Sequence, residues 1–117
     1  MSAGTAGLRA ALADFAGRVN GDERLRKMIA DWDRTIALEA SEGGGEGLVV
    51  RAGEVRVADA MPDQADIRLR ASVSVLEDVF SGALSPTEPY VDGSLAVQGS
   101  QEDVLRLDFL SLMIWGD

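Results

Sequence analysis

The sequence predicts a mixed α/β domain of the α+β kind: a five-stranded, largely antiparallel sheet with helices packed on one of its faces. Three observations carry that expectation. Five short stretches alternate apolar and polar residues with period two, and helical patterns flank them at both ends of the chain. Glycines and capping residues punctuate the joints between these stretches. At 117 residues the chain has room for one domain, residues 1–117, which buries about two-thirds of the surface its unfolded form exposes.

Taken in order, Leu8, Ala11, Leu12, Phe15 and Val19 recur at helical spacing with Arg9, Asp14 and Arg18 off their face, and the pattern stops near Asn20-Gly21. Asp22 caps a second helix whose inner residues are Leu25, Met28 and Ile29. Residues 32–40 then alternate, Ile36, Leu38 and Ala40 against Asp33, Thr35 and Glu39. Leu48, Val50 and Ala52 oppose Val49 and Arg51, while Val55 and Val57 oppose Glu54 and Arg56. Gly43-Gly44-Gly45 and Ala52-Gly53 read as hairpin turns between these strands, and Met61-Pro62-Asp63 as a plain loop. In the fourth strand Ala65, Ile67, Leu69 and Ala71 oppose Asp66, Arg68 and Arg70. Such alternation describes a sheet covered on one face and wet on the other.

Beyond residue 72 the stop and start signals become dense. Ser74 with Glu77 forms a capping box for a helix of about two turns that Gly82 ends in the left-handed conformation. Ser85, Pro86 and Glu88 open a second short helix carrying Tyr90 and Val91, which Pro89 keeps to about a turn and Gly93 closes. Residues 94–99 form the fifth strand, with Leu95 and Val97 on one side. Ser100, with Asp103 as a weaker capping acid, opens a last helix that is apolar almost all round from Val104 to Trp115. A helix lying on a sheet needs an apolar stripe, not a sleeve, so something further must cover it: a protein layer, a partner subunit or a lipid.

Composition removes several classes of function. Cys and His are both absent, which excludes disulfides, thiolate nucleophiles, Ser–His and Cys–His pairs and His-bearing metal sites. A net charge of −9 argues against binding to nucleic acid and against attraction to anionic membranes, so a bilayer would have to be met by an apolar lip. The N-terminal residues lack the basic segment and apolar core of a signal peptide, and no run is long enough to span a bilayer; the expected compartment is the cytoplasm.

Few charged residues invite a chemical role. Asp31 with Asp33, or Asp63 with Asp66, lack the ligand-rich spacing of a calcium loop and read as solvated acids at element ends. Gly43-Gly44-Gly45 precedes a strand, whereas a phosphate cradle needs a helix behind it. Arg51, Arg56, Arg68 and Arg70 share the polar sheet face with Glu39, Glu54 and Asp66, as cross-strand pairs would. One of these, or the Arg24-Arg26-Lys27 group, is the place to look for a contact with a lipid head group or coenzyme A phosphate.

The apolar set is the candidate site: Ile36 and Leu38 from the sheet, Leu76, Val79 and Phe80 from the capped helix, Leu84 and Tyr90 from the bridge, and Leu105, Phe109, Leu112 and Met113 from the last helix. Close packing is the rule in interiors, so on residue types alone this set reads as a filled core. The run Gly82-x-Leu84-Ser85-Pro86, Tyr90-x-x-Gly93-x-Leu95-x-Val97-x-Gly99 and Leu105-x-Leu107 resembles the signature of the sterol carrier protein type-two domain, with Trp32-Asp33 and Ala65-Asp66-Ile67-x-Leu69 similar to its bacterial members. That resemblance implies one apolar cavity between the sheet and a helical layer, binding and transferring a fatty acid, fatty acyl thioester or sterol-like lipid without catalysis, with no cofactor or metal. Tyr90 would supply a polar contact at the mouth, and a charge at the wall residue Phe109 would abolish uptake. Pro89 stands where the family more often has a small residue and should stiffen the bridge. Two rival readings use the same residues: an interaction module, dimerising through the last helix and Trp115, or an enzyme or accessory protein that holds a hydrophobic substrate in the cavity.

Overall fold

The computed structural model describes residues 4–115. Its elements run α1 (Ala6–Asn20), α2 (Glu23–Met28), β1 (Arg34–Ala40), β2 (Gly45–Arg51), β3 (Glu54–Val57), β4 (Ile67–Ala71), α3 (Val73–Ser81), α4 (Thr87–Asp92), β5 (Ala96–Gly99) and α5 (Gln101–Trp115). One sheet holds all five strands in the order β3-β2-β1-β4-β5. It is mostly antiparallel, as expected, with a single parallel pair, β1 with β4.

The alternation assigns the faces. Ile36, Leu38, Leu48, Val50, Val55, Ile67 and Leu69 are buried under α1 and α3, joined by Leu8, Leu12, Phe15 and Val19 of α1 and by Leu76 and Phe80 of α3. Phe15 and Phe80 meet edge to face with ring centroids 5.3 Å apart, fixing the two helices against each other. Glu46 shares this covered face with Leu38, its partner across the β1–β2 pair. Its burial is compensated by Thr5 Oγ1 and by Arg9 Nη1 at 2.8 Å, both donating to its carboxylate.

The opposite face is less wet than its sequence predicts. The connection from β3 to β4 must cross β2 and β1, because the edge strand β3 and β4 flank them in the sheet order. Met61 and Pro62 in that connection lie against Gly45 and Gly47, and a Cβ at Gly47 would come 2.5 Å from Pro62 Cδ. Ala37, paired with Gly47, is fully buried as a result. Gly45 therefore belongs to β2 and not to the turn, and Met61-Pro62 is a cover for the sheet. Beyond this cover the face carries the expected cross-strand charges: Glu39 accepts Arg68 at 3.3 Å and pairs with Arg70 at 3.5 Å.

Helix ends follow local chemistry with one displacement. Asp22 accepts the Arg24 and Leu25 amides, and Ser100 Oγ accepts the Asp103 amide. The cap of α3 is Ser72, whose Oγ accepts the Val75 amide, and not Ser74. Ser72 follows β4 directly with extended dihedrals, so the helix begins two residues earlier than the Ser74-Glu77 pattern suggests. Pro86 is the cap of α4, and Pro89, third in that helix, lies where no intrahelical amide is required.

Gly82 and Gly93 both end helices in the left-handed region, at φ 82° and 89°. Their surroundings differ: a Cβ at Gly82 would meet Trp115 Cδ2 at 2.5 Å, whereas nothing lies within 4 Å of one at Gly93. Gly93→Ala should cost about 1 kcal/mol of backbone strain, and Gly82→Ala about 2 kcal/mol because the indole must also move. Urea unfolding of the two variants checks this, and equal costs would remove the Trp115 contact from the account.

Candidate functional site

Coverage of the sheet is uneven. α1 lies on β3 and against α3, and α3 lies on β1 and β4, so the main packing of both helices falls away from the β5 edge. Gly82 stops α3, α4 carries the chain outward, and α5 returns along β5. A cleft of ≈ 540 Å³ remains at the β4–β5 edge between α3, α4 and α5. That volume is in the ordinary range for a small-molecule site.

The floor of the cleft is Leu69 of β4 with Leu95, Val97 and Gly99 of the last strand and its approach. Val79 and Phe80 of α3 form one wall, and Val104, Leu105 and Leu107 of α5 the other. Pro86, Thr87 and Tyr90 close the α4 side, while Gln101, Asp108 and Ser111 add polar groups along α5. Leu69 and Val97 are register partners, so the two strands present an unbroken apolar floor.

The predicted site residues divide into three groups. Val79, Phe80, Tyr90 and Leu105 line the cleft. Ile36, Leu38 and Leu76 are at most 1% exposed in the packed core beneath α1 and α3, so the centre of the sheet is filled and the space lies at its edge; Leu84 packs against the same core without lining the cleft. Phe109, Leu112 and Met113 face outward, 50%, 56% and 38% exposed. Phe109 and Leu112 belong with Met28, Asp31 and Leu105 to a wide, solvent-open groove along the far side of α5. Leu105, on the ridge between groove and cleft, belongs to both.

This division accounts for the apolar sleeve of α5. Leu107 and Leu110 are buried on its inner side, and Leu105, Phe109, Leu112 and Met113 form an outer row that no described residue covers. Trp115 does not join that row. It packs on Gly82 of the same chain with the Arg18 guanidinium 4.4 Å from its ring centre, so it anchors the C-terminal end of α5.

A second anchor holds the other end. Asp103, buried, accepts Trp32 Nε1 at 2.8 Å and Arg34 Nε at 2.9 Å, tying α5 to β1 and to the tryptophan just before it. Burial pushes its carboxyl upward, but the bonds from Trp32 and Arg34, the Arg34 charge and the Ser100 hydroxyl outweigh that and hold it below the usual aspartate range. Arg106 reinforces the anchor by donating to the Met28 carbonyl at 2.8 Å while lying 5.6 Å from the Trp32 ring centre. The residue that opens α5 as a capping acid in the sequence is thus the clasp of the cleft wall.

Two of the acids singled out in the sequence have structural posts. Asp33 accepts the Ala52 amide and Asp66 the Thr35 amide. Arg24 and Lys27 pair with Asp22 and Glu23, and Arg26 donates to the Gly53 carbonyl, so that basic group does not line the cleft. Among the described residues no group of three or more acids could hold a metal, and no helix is long and apolar enough to cross a membrane.

A five-stranded mixed sheet with helices over one face and an apolar cleft at its β5 edge defines a sterol-carrier-like α+β fold. The chain belongs to the SCP-2 sterol transfer family, whose profile matches residues 8–110. It is similar to sterol carrier protein domain 2 of Helicoverpa armigera, with TM-score 0.72 and 16% identity over 100% of this chain and 97% of that one. The ubiquinone synthesis protein UbiJ-SCP2 gives 0.67 at 22% identity, covering 94% of each chain, and palmitated SCP2L2 from Aedes aegypti gives 0.62 at 12% identity, covering 95% of each. No curated protein sequence matches the chain.

Proposed function

We propose that this protein binds a lipid in the β4–β5 cleft and carries it, without changing it chemically. The observation that carries the reading is the continuous apolar lining contributed by the sheet edge, α3 and α5. An alkyl chain gains about 0.8 kcal/mol per methylene buried, so ten methylenes offer roughly 8 kcal/mol and micromolar affinity before ordering costs. Binding on that scale needs no reactive group. Membership of a sterol transfer family and likeness to a palmitated relative support the same reading.

Transfer also needs a place where lipid can pass between cleft and bilayer. Leu105 joins the cleft to the outer apolar row, and we assign transient membrane contact to Leu105, Phe109 and Leu112. Purified protein, extracted with organic solvent, should release close to one equivalent of lipid by mass spectrometry, or take up one equivalent of the uncharged dye Nile red after delipidation. A delipidated protein that binds neither dye nor any alkyl compound would sink the carrier reading.

A further inference from the structure

The cleft has a distribution of charge as well as an apolar lining. We infer that its ligand is an amphiphile whose head carries no negative charge and donates hydrogen bonds, such as an alcohol or amide, and that fatty acids and acyl coenzyme A thioesters are disfavoured. This inference rests on the cleft being a lipid site. It follows from where the charges of the chain lie.

From Ala71 to Leu105 the sequence contains neither Lys nor Arg, and carries Glu77, Asp78, Glu88, Asp92, Glu102 and Asp103. That stretch supplies α3, α4, β5 and the first turn of α5, which together make most of the cleft. The flanking cations are committed elsewhere: Arg68 and Arg70 pair with Glu39 on the opposite face of the sheet, and Arg106 donates to the Met28 carbonyl. Arg34 is held by Asp103, and Arg18 by Asp14 and the Trp115 ring. Arg51 and Arg56 stand on β2 and β3, at the other side of the sheet from β5. Among the described residues no cation lines the cleft.

One feature could favour an anion, the N-terminus of α5, because helix starts present free amides and positive potential. It is already compensated. Ser100 Oγ takes the Asp103 amide, and Glu102 and Asp103 place two carboxylates in the first turn.

What the mouth offers is Asp108, exposed on the ridge between cleft and groove and paired with no cation among the described residues. The remaining polar lining groups, Thr87, Tyr90, Gln101 and Ser111, are uncharged. A hydroxyl or amide head can donate to the Asp108 carboxylate, whereas a carboxylate or phosphate head would meet like charge with no counter-ion at hand.

Competition against Nile red by tetradecanol and by myristate, at about pH 8 where the acid is ionised, tests this with the alkyl chain held constant. The expected result is displacement by tetradecanol at a concentration at least about tenfold lower than by myristate. Asp108→Asn should narrow that ratio and Asp108→Lys should shift it toward myristate by a further several-fold; both are exposed-site changes that leave the core intact. Myristate binding as tightly as tetradecanol, or an unchanged ratio in Asp108→Lys, would overturn the inference while leaving the carrier reading standing. Failure of both compounds to displace the dye would instead overturn the cleft as a lipid site, and this inference with it.

Discussion

Val97→Asp is expected to weaken Nile red or alkyl-ligand binding by about a hundredfold or more, because a carboxylate would have to lose its water against the buried chain at a cost of about 3 kcal/mol or more. Val97 sits in the floor of the cleft on β5, paired with Leu69 of β4, and it is only partly buried. In the empty protein the new carboxylate can stay hydrated, so the fold should survive with only the loss of one β-branched residue from an edge strand. Phe109→Asp provides the contrast. Phe109 is half exposed on the far side of α5 and does not line the cleft, so its variant should bind ligand within about threefold of the parent, since a surface change away from the ligand adds well under 1 kcal/mol. Transfer of lipid between zwitterionic vesicles should slow in the same variant, if the outer apolar row touches the membrane. Equal binding by Val97→Asp and the parent, with circular dichroism unchanged, would place the ligand somewhere other than this cleft.

The contrast between Val97 and Phe109 also marks the boundary of what the sequence discloses. Both are apolar residues of a C-terminal half rich in family-like spacing, and period alone puts Val97 on an inner strand face. Nothing local says which face of an almost wholly apolar helix will turn inward, and Phe109, Leu112 and Met113 lie on the side that does not. Ile36 and Leu38 illustrate the complementary limit: alternation locates the covered face of β1 but not which part of that face the helices fill. Filling depends on α3 packing mainly on β1 and β4 before it stops at Gly82, and on the position α5 then takes.

Turns and caps were legible because their chemistry is confined to a few neighbouring residues. The left-handed glycines at 82 and 93, the Asp22 cap and the Ser100 cap are all of this kind. Ser72 and Ser74 are both serines that could cap the helix, and only Ser74 has a Glu three positions on, yet the end of β4 selects Ser72. Pairing of β1 with β4 in parallel, and the passage of Met61 and Pro62 across the sheet, depend on contacts remote in sequence that no local pattern encodes. The cation-free stretch from Ala71 to Leu105 is different: it is visible in the sequence, but it acquires meaning only once those residues are seen to surround one space.

The clasp on α5 is far from local: Asp103 meets a tryptophan 71 positions earlier in the chain. Asp103→Ala should lower the unfolding free energy by about 2–3 kcal/mol at neutral pH: breaking a buried pair from one side costs about 3–5 kcal/mol, and Arg34 is exposed enough to recover part of its hydration. Asp103→Asn keeps an acceptor for the Trp32 indole but removes the charge, and about half that loss is expected. The pH dependence follows from the sign of the shift. A carboxyl held below its ordinary range when folded stabilises the protein fully above the unfolded value of about 3.9, and that contribution fades as pH falls through the lower folded value. The gap between parent and Asp103→Asn should therefore be constant from pH 7 down to about 5 and close only in strong acid. Because Asp103 anchors the helix that walls the cleft, Asp103→Ala should also loosen α5 before the rest unfolds, seen as faster amide exchange in residues 104–111 than in β1. Urea unfolding of the three proteins at neutral and acid pH supplies the measurement; a parent and Asp103→Ala that unfold within about 0.5 kcal/mol of each other would mean that α5 is held by its apolar contacts, Arg106 and Trp115 without the Asp103 clasp.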